Sequence, residues 1–248
     1  MPDVVSKDGL RIHFEASGSG APAILLHPAH ATCRSWIELG WFESLQSRGC
    51  RAVTLDARGF GESDDVTSPE QLSPGTSTDD IVSVMDTLGI QSAHLCGFSL
   101  GAAAAARFSV DQPARVDSLV LGGLALGPLV QVGLYLGARP EEARRQALSQ
   151  LDRVQQTSSR EATYFSAVRA VMSATPLRNL AAADLSLPIL GVAGEADRHD
   201  PVALYEDLRA AGARIQLKII ANVGHGTCFP HPEFRQAALD FIAASLAV

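Results

Sequence analysis

The chain carries little charge for its length and concentrates none of it. Its 248 residues hold 20 Lys and Arg against 27 Asp and Glu, a net charge of −7. The absence of a long basic run excludes the electrostatic footprint of a nucleic-acid-binding protein. No stretch of 18 apolar residues occurs, so the sequence predicts no membrane span. The first residues, Met1-Pro2-Asp3-Val4-Val5-Ser6-Lys7, lack the charged-then-apolar order of a secretion signal. Cysteine is scarce too. Cys33, Cys50, Cys96 and Cys228 show neither a CxxC pair nor metal-ligand spacing, which predicts free thiols in a reducing, cytoplasmic setting. Cys228 follows a histidine of interest closely, but its loop-like neighbours make it a structural or incidental thiol.

What the chain does have is apolar material, 46% of residues, enough for a large core. Short apolar runs at 11–15, 23–26, 51–55, 93–97, 117–122, 187–193 and 215–220 read as buried strands. Helical patterns fall between them at 34–48, 79–88, 100–111, 203–211 and 232–246. Strands alternating with helices predict an α/β fold, a mostly parallel sheet covered on both faces. Ligands of such sheets sit outside the carboxyl ends of the strands. From about 124 to 184 the alternation stops, and helical patterns appear at 141–154 and 161–172. The expected organisation is a core from 1–123 and 185–248, interrupted by a helical cap at 124–184.

One pentapeptide stands out. Gly97-Phe98-Ser99-Leu100-Gly101 lies between a strand-like run and the Ala-rich start of a helix. This is the pattern of a nucleophile elbow, a sharp turn that strains the serine backbone and leaves no room for side chains two residues either way. A serine hydroxyl needs a base, and the base needs an orienting group. His225, in Asn222-Val223-Gly224-His225-Gly226 after the last strand, has the best setting among seven histidines. Asp197, in Gly194-Glu195-Ala196-Asp197-Arg198-His199-Asp200-Pro201, is the preferred acid. Asp200 and Glu195 are its rivals: Asp200 precedes Pro201 and has the look of a helix N-cap, and Glu195 hugs the strand end.

The chain order Ser99, Asp197, His225 resembles that of the α/β-hydrolases. Leu25-Leu26-His27-Pro28-Ala29 followed by Trp36 is similar to that family's His-Gly oxyanion loop and downstream tryptophan. Asp56-Ala57-Arg58-Gly59-Phe60-Gly61-Glu62-Ser63 is similar to its Asp-x-Arg-Gly-x-Gly-x-Ser segment, where Asp56 and Arg58 are read as braces of a glycine-rich turn. The resemblance implies an oxyanion hole made by the N–H groups of Ala29 and Leu100. Pro28 stands where the family usually has glycine, and it brings a fixed φ and no N–H. His30, inside the same loop, either binds substrate or braces the loop.

Carried over from the family, the chemistry is acyl transfer through Ser99 without metal or organic cofactor. A serine at the elbow argues against haloalkane dehalogenase and epoxide hydrolase chemistry, for which related enzymes place an aspartate there. The expected substrate is a small apolar carboxylic ester or lactone. Expected pocket residues are His30, Trp36, Leu124, Leu126, Tyr135, Tyr164 and Met172, with Leu129, Val130, Leu134 and Phe165 as further walls. Three other readings stand beside this one: a carbon–carbon bond hydrolase acting on a β-diketone-like substrate, a ligand-binding or signalling protein on the same fold, and a perhydrolase or cofactor-free haloperoxidase. Neither nucleic acid nor membrane is an expected partner, and a homodimer is left open.

Overall fold

A computed structural model of the chain describes residues 2–29, 31–67, 71, 75–124, 187–210 and 212–246. Eight strands form one sheet: β1 (Asp3–Val5), β2 (Arg11–Ser17), β3 (Ala21–Leu26), β4 (Cys50–Leu55), β5 (Ala93–Phe98), β6 (Val116–Gly122), β7 (Ile189–Gly194) and β8 (Ile215–Ile220). Their order is β1-β2-β4-β3-β5-β6-β7-β8. The β1–β2 and β2–β4 pairs are antiparallel, and all later pairs are parallel. The mostly parallel, twisted sheet expected from the alternating pattern is therefore present. β1 was not visible in the sequence pattern. Its three residues have no apolar alternation and alternate between exposed and half-buried at the sheet edge.

Every residue of β5 and of β7 is buried, as strands covered on both faces must be. The period of two divides the core cleanly. On β3, Ile24 and Leu26 join one apolar cluster, whereas Ala23 and Leu25 join the other. The first cluster is covered by α3 (Thr76–Thr87), α4 (Leu100–Asp111) and α5 (Pro201–Ala210), through Ile81, Val84, Ala105, Phe108 and Tyr205. The second is covered by α1 (Cys33–Glu38), α2 (Trp41–Gln46) and, beyond the four-residue α6 (His225–Cys228), by α7 (Pro232–Ser245), through Trp36, Trp41, Phe42, Phe234 and Leu239. The single helix expected over 34–48 is two helices. Gly40 takes a left-handed φ of 73° between them, a conformation open to glycine at little cost.

The glycine-rich segment after β4 is pinned by buried charge, in keeping with the bracing role read for Asp56 and Arg58. The Asp56 carboxylate accepts the main-chain N–H groups of Cys33 (2.7 Å) and Glu62 (2.9 Å). Arg58 places two N–H donors on Asp80 of α3, at 2.8 and 2.6 Å, and a third on Asp8 at 2.6 Å. Burial drives the Asp80 carboxyl upward, against the pull of Arg58 and the Ser6 hydroxyl. Removing one member of a buried pair strands the other charge, which costs about 3–5 kcal/mol, whereas replacing both with apolar groups costs far less. Urea unfolding of Asp80→Ala is expected to show a loss of that size. An Asp80→Leu/Arg58→Met double variant should lose clearly less; a loss as large as the single variant's would contradict the pairing argument.

Candidate active site

The carboxyl ends of β5, β7 and β8 meet at one point. Ser99 follows β5 and adopts φ 53°, ψ −113°, a positive φ that side chains rarely tolerate. A Cβ on Gly97 would overlap the main chain of Gly101, and a Cβ on Gly101 would overlap the carbonyls of Leu26 and His27. The two elbow glycines therefore answer to direct backbone contact, and α4 rises from the serine at Leu100. The Ser99 main chain is held in turn. Its N–H donates to the Gly122 carbonyl (2.8 Å), and its carbonyl accepts from Ala103 (3.0 Å).

His225 opens α6 beyond β8, with its Nε2 3.0 Å from the Ser99 Oγ. Its Nδ1 lies 2.7 Å from Asp197 Oδ2. The other Asp197 oxygen accepts the main-chain N–H of His199 at 3.0 Å. The Asp197 side chain has no exposed surface. Burial pushes its carboxyl upward, yet the hydrogen bonds from His225 and His199 outweigh this and hold it below the ordinary carboxylate value. An ionised acid thus stands against the Nδ1–H of His225 and selects the tautomer whose Nε2 faces the serine.

The two rival acids are engaged elsewhere. Glu195 accepts the N–H of Asn222, and Asp200 accepts that of Ala203 (3.3 Å) at the start of α5. The His225 ring is flanked by Phe98 and His199, with centroids at 5.3 and 4.8 Å. Neither neighbour was singled out from the sequence. Phe98 stands there only as part of the elbow pentapeptide, and only the position of His199 two residues past Asp197 offers a signal.

The loop after β3 approaches the elbow from the other side. His27 is buried, and both of its ring nitrogens are committed. Nδ1–H donates to the Pro28 carbonyl (2.8 Å), and Nε2 accepts the Ala57 N–H (3.0 Å). The Ala31 N–H also donates to Pro28. No peptide bond among the described residues is cis. In a trans peptide the C=O and the following N–H point in opposite directions. Fixing the Pro28 carbonyl therefore fixes the direction of the Ala29 N–H. Leu100, as the first residue of α4, has an N–H among those a helix leaves without an internal partner.

Two of the expected pocket residues sit in the core. Trp36 is fully buried, edge-on to Trp41 (4.7 Å) and Phe229 (4.9 Å), and its indole N–H has no protein partner. It packs α1 onto the sheet and has no exposed surface to offer a ligand. Leu124 belongs to the buried cluster beneath α4 and α5, and its N–H donates to the Tyr205 hydroxyl. His30, Leu126, Tyr135, Tyr164 and Met172 lie outside the described residues, as do the further wall residues and the cap expected at 124–184, Leu124 aside. All four cysteines are buried and free.

Among the described residues, two groups of side chains have metal-ligand types within 4.8 Å of one another: His13, Cys33 and Asp56, and Asp197, His199 and His225. In the first, Asp56 already holds two main-chain amides. Burial, with Asp56 beside it, pushes the Cys33 thiol up to about 12.

A serine, histidine and acid linked in that order, on loops at one end of a mostly parallel sheet, define an α/β protein of the nucleophile-elbow class. The profile of the alpha/beta hydrolase family matches residues 23–241, and the chain belongs to that family. Among characterised relatives, the 2-hydroxy-6-oxononadienedioate/2-hydroxy-6-oxononatrienedioate hydrolase 2 of Pseudomonas putida is 25% identical over 263 residues, covering 94% of this chain and 92% of that protein. Epoxide hydrolase 2 of Siraitia grosvenorii is 35% identical over 116 residues, 47% of this chain and 36% of the relative. The chain thus spans little more than a third of that relative's length. The esterase EaEST of Exiguobacterium antarcticum shares the fold with a TM-score of 0.74 at 20% identity, over 97% of this chain and 98% of that one. No helix of the described residues is long and apolar enough to cross a membrane.

The loop clamp has a pH signature. Burial lowers His27 from the ordinary value of 6.5, and burial likewise lowers His94, which bonds Ser118 in the sheet. Below pH 6.5 the unfolded chain binds protons that these native imidazoles refuse. Their stability contribution is thus complete above 6.5 and declines as pH falls toward their native values. Urea midpoints should drop between about pH 7.5 and about pH 5.5, and less steeply in His94→Asn. A wild-type midpoint that is flat or rises on acidification would contradict the neutral assignment.

Proposed function

We propose that the protein hydrolyses a small organic substrate at an activated carbonyl through Ser99, and that the bond it cleaves is a carbon–carbon bond beside a ketone in a β-diketone-like acid. The observation that carries the hydrolytic part is the continuous chain from Ser99 Oγ to His225 Nε2 to Asp197, at 3.0 and 2.7 Å. The carbon–carbon part is supported by the relative that matches nearly end to end and is named a 2-hydroxy-6-oxononadienedioate/2-hydroxy-6-oxononatrienedioate hydrolase.

In this reading His225 removes the Ser99 proton as Oγ adds to the ketone carbon. Asp197 holds the ring and stabilises the imidazolium that forms. The N–H groups of Ala29 and Leu100 receive the oxyanion, each such donor being worth about 3 kcal/mol of barrier. Collapse breaks the bond to the neighbouring carbon, whose electron pair is taken up by the adjoining carbonyl system of the substrate. His225 returns its proton to that carbon, leaving an acyl group on Ser99. Water, deprotonated by His225, then adds to the acyl carbon; Ser99 regains its proton and a carboxylic acid departs. The sum is one water consumed, one carboxylic acid and one methyl-terminated ketone product formed.

Hydrolysis of a carboxylic ester or enol lactone is the second reading. It uses the same acyl-enzyme with an oxygen leaving group, so no electron sink is needed in the substrate. The Pro28-containing loop favours it, because carbon–carbon hydrolases related to this family usually carry extra glycines there. Epoxide opening, the activity in the name of the Siraitia relative, is disfavoured by the serine at position 99.

The decisive comparison is kcat/KM on a 2-hydroxy-6-oxo-dienoate, followed by loss of its visible absorbance, against p-nitrophenyl esters from acetate to octanoate. The dienoate is expected to be the better substrate, and a clear preference for esters would establish the second reading. Ser99→Ala should lower turnover of either by about 10⁴-fold or more, and Asp197→Asn by about 10³–10⁴-fold. Labelling of Ser99 by a fluorophosphonate without turnover of any of these compounds would overturn the hydrolytic assignment in favour of ligand binding.

A further inference from the structure

The acid loop brings a second imidazole to the triad that hydrolysis does not call on. The ring of His199 stands edge-on to that of His225, with centroids 4.8 Å apart and planes at 71°. Its main-chain N–H is anchored on Asp197 Oδ1. One ligand atom from each of Asp197, His199 and His225 lies within 4.8 Å of the other two. Asp197 is buried and the two histidines are half-buried, so the donor set is reachable from solvent at its imidazole side.

We propose that Asp197, His199 and His225 form a reversible binding site for a borderline-soft divalent cation, Zn²⁺ by preference, and that occupancy switches the triad off. Two imidazole nitrogens and a carboxylate oxygen match the N/O donors that zinc selects, with the fourth position left to water or to the Ser99 hydroxyl. Bonds of about 2.0–2.2 Å to each ligand place the donor atoms about 3–3.5 Å apart around a tetrahedral ion. Three atoms confined within 4.8 Å reach that spacing by small side-chain rotations. The buried cluster of His13, Cys33 and Asp56 is the weaker candidate, since its carboxylate is spent on main-chain amides and its thiol is held protonated.

Coordination here opposes catalysis directly. If His225 binds through Nε2, its lone pair is no longer open to the Ser99 proton. If it binds through Nδ1, the proton shared with Asp197 leaves for solvent and the tautomer is lost. No covalent bond of the protein is made or broken beyond that proton exchange, so a chelator restores the starting state. The inhibition rests on the hydrolytic reading; the binding does not.

The experiment separates the two. Ser99→Ala protein, stripped with EDTA and dialysed, is titrated calorimetrically with ZnCl₂, beside Ser99→Ala/His199→Gln and Ser99→Ala/His199→Asp. One ion per chain is expected. Loss of a second-shell partner alone weakens metal sites about 10–100-fold, so removal of a direct ligand in His199→Gln should weaken binding by at least about tenfold. His199→Asp, which keeps a donor, should recover part of that loss, and this excludes a merely structural effect of losing the imidazole. In parallel, Zn²⁺ should inhibit wild-type turnover with full recovery on adding EDTA, and the inhibition midpoint should rise at least about tenfold in His199→Gln. Equal zinc affinity with and without His199, or binding that is lost in Cys33→Ser instead, would overturn the proposal. Zinc binding that depends on His199 in a protein that turns over no substrate would leave the metal site standing and defeat the hydrolytic reading.

Discussion

The position of everything at the catalytic end follows from one disallowed-looking backbone. Ser99 holds a positive φ where the start of α4 presses against β5 at Gly97 and against the end of β3 at Gly101, with no side chain between them. A residue in such a region costs on the order of 1–3 kcal/mol, and the surrounding core offsets it. β5 is buried along its whole length between β3 and β6, and α4 is anchored through Ala102, Ala105 and Phe108. The strain turns the serine side chain out of the sheet at the point where β7 and β8 deliver their loops.

Around that fixed point, hydrogen bonds to main chain help to aim the remaining groups. Asp197 is set by His199 N–H as well as by His225, the loop after β3 by His27, and the segment after β4 by Asp56, while Arg58 ties that segment to the Asp80 side chain. The same pattern holds at Pro28, whose carbonyl accepts the His27 Nδ1–H and the Ala31 N–H while the other ring nitrogen of His27 accepts from Ala57.

Legibility in the sequence followed the physics of each element. Strands buried on both faces leave continuous apolar runs, and β5 and β7 were visible for that reason; β2 and β8 are buried only in part but keep enough apolar residues to show, and β1, a three-residue edge strand, leaves no run. The helix expected over 34–48 kept its amphipathic pattern across Gly40 although the backbone turns there. The serine, histidine and acid could be picked out because each follows a strand and is flanked by glycines or turn residues. Trp36, expected at the pocket, is an indole buried against Trp41, Phe229 and Phe234. His199 and Phe98 were missed because packing against His225 is a three-dimensional relation with no spacing rule to announce it.

β6 and β7 lie side by side in the sheet, yet β6 ends at Gly122 and β7 begins at Ile189. Loop-closure entropy grows only with the logarithm of loop length, so each doubling adds about 0.6 kcal/mol. The pairing of these two strands is therefore nearly indifferent to how much chain is interposed, while Ser99 and the Asp197–His225 pair sit on opposite sides of that junction. Such an arrangement lets the interposed segment be lengthened, shortened or exchanged over evolutionary time with little penalty to the sheet. A lineage can thus acquire new chemical appetites without rebuilding its reactive centre.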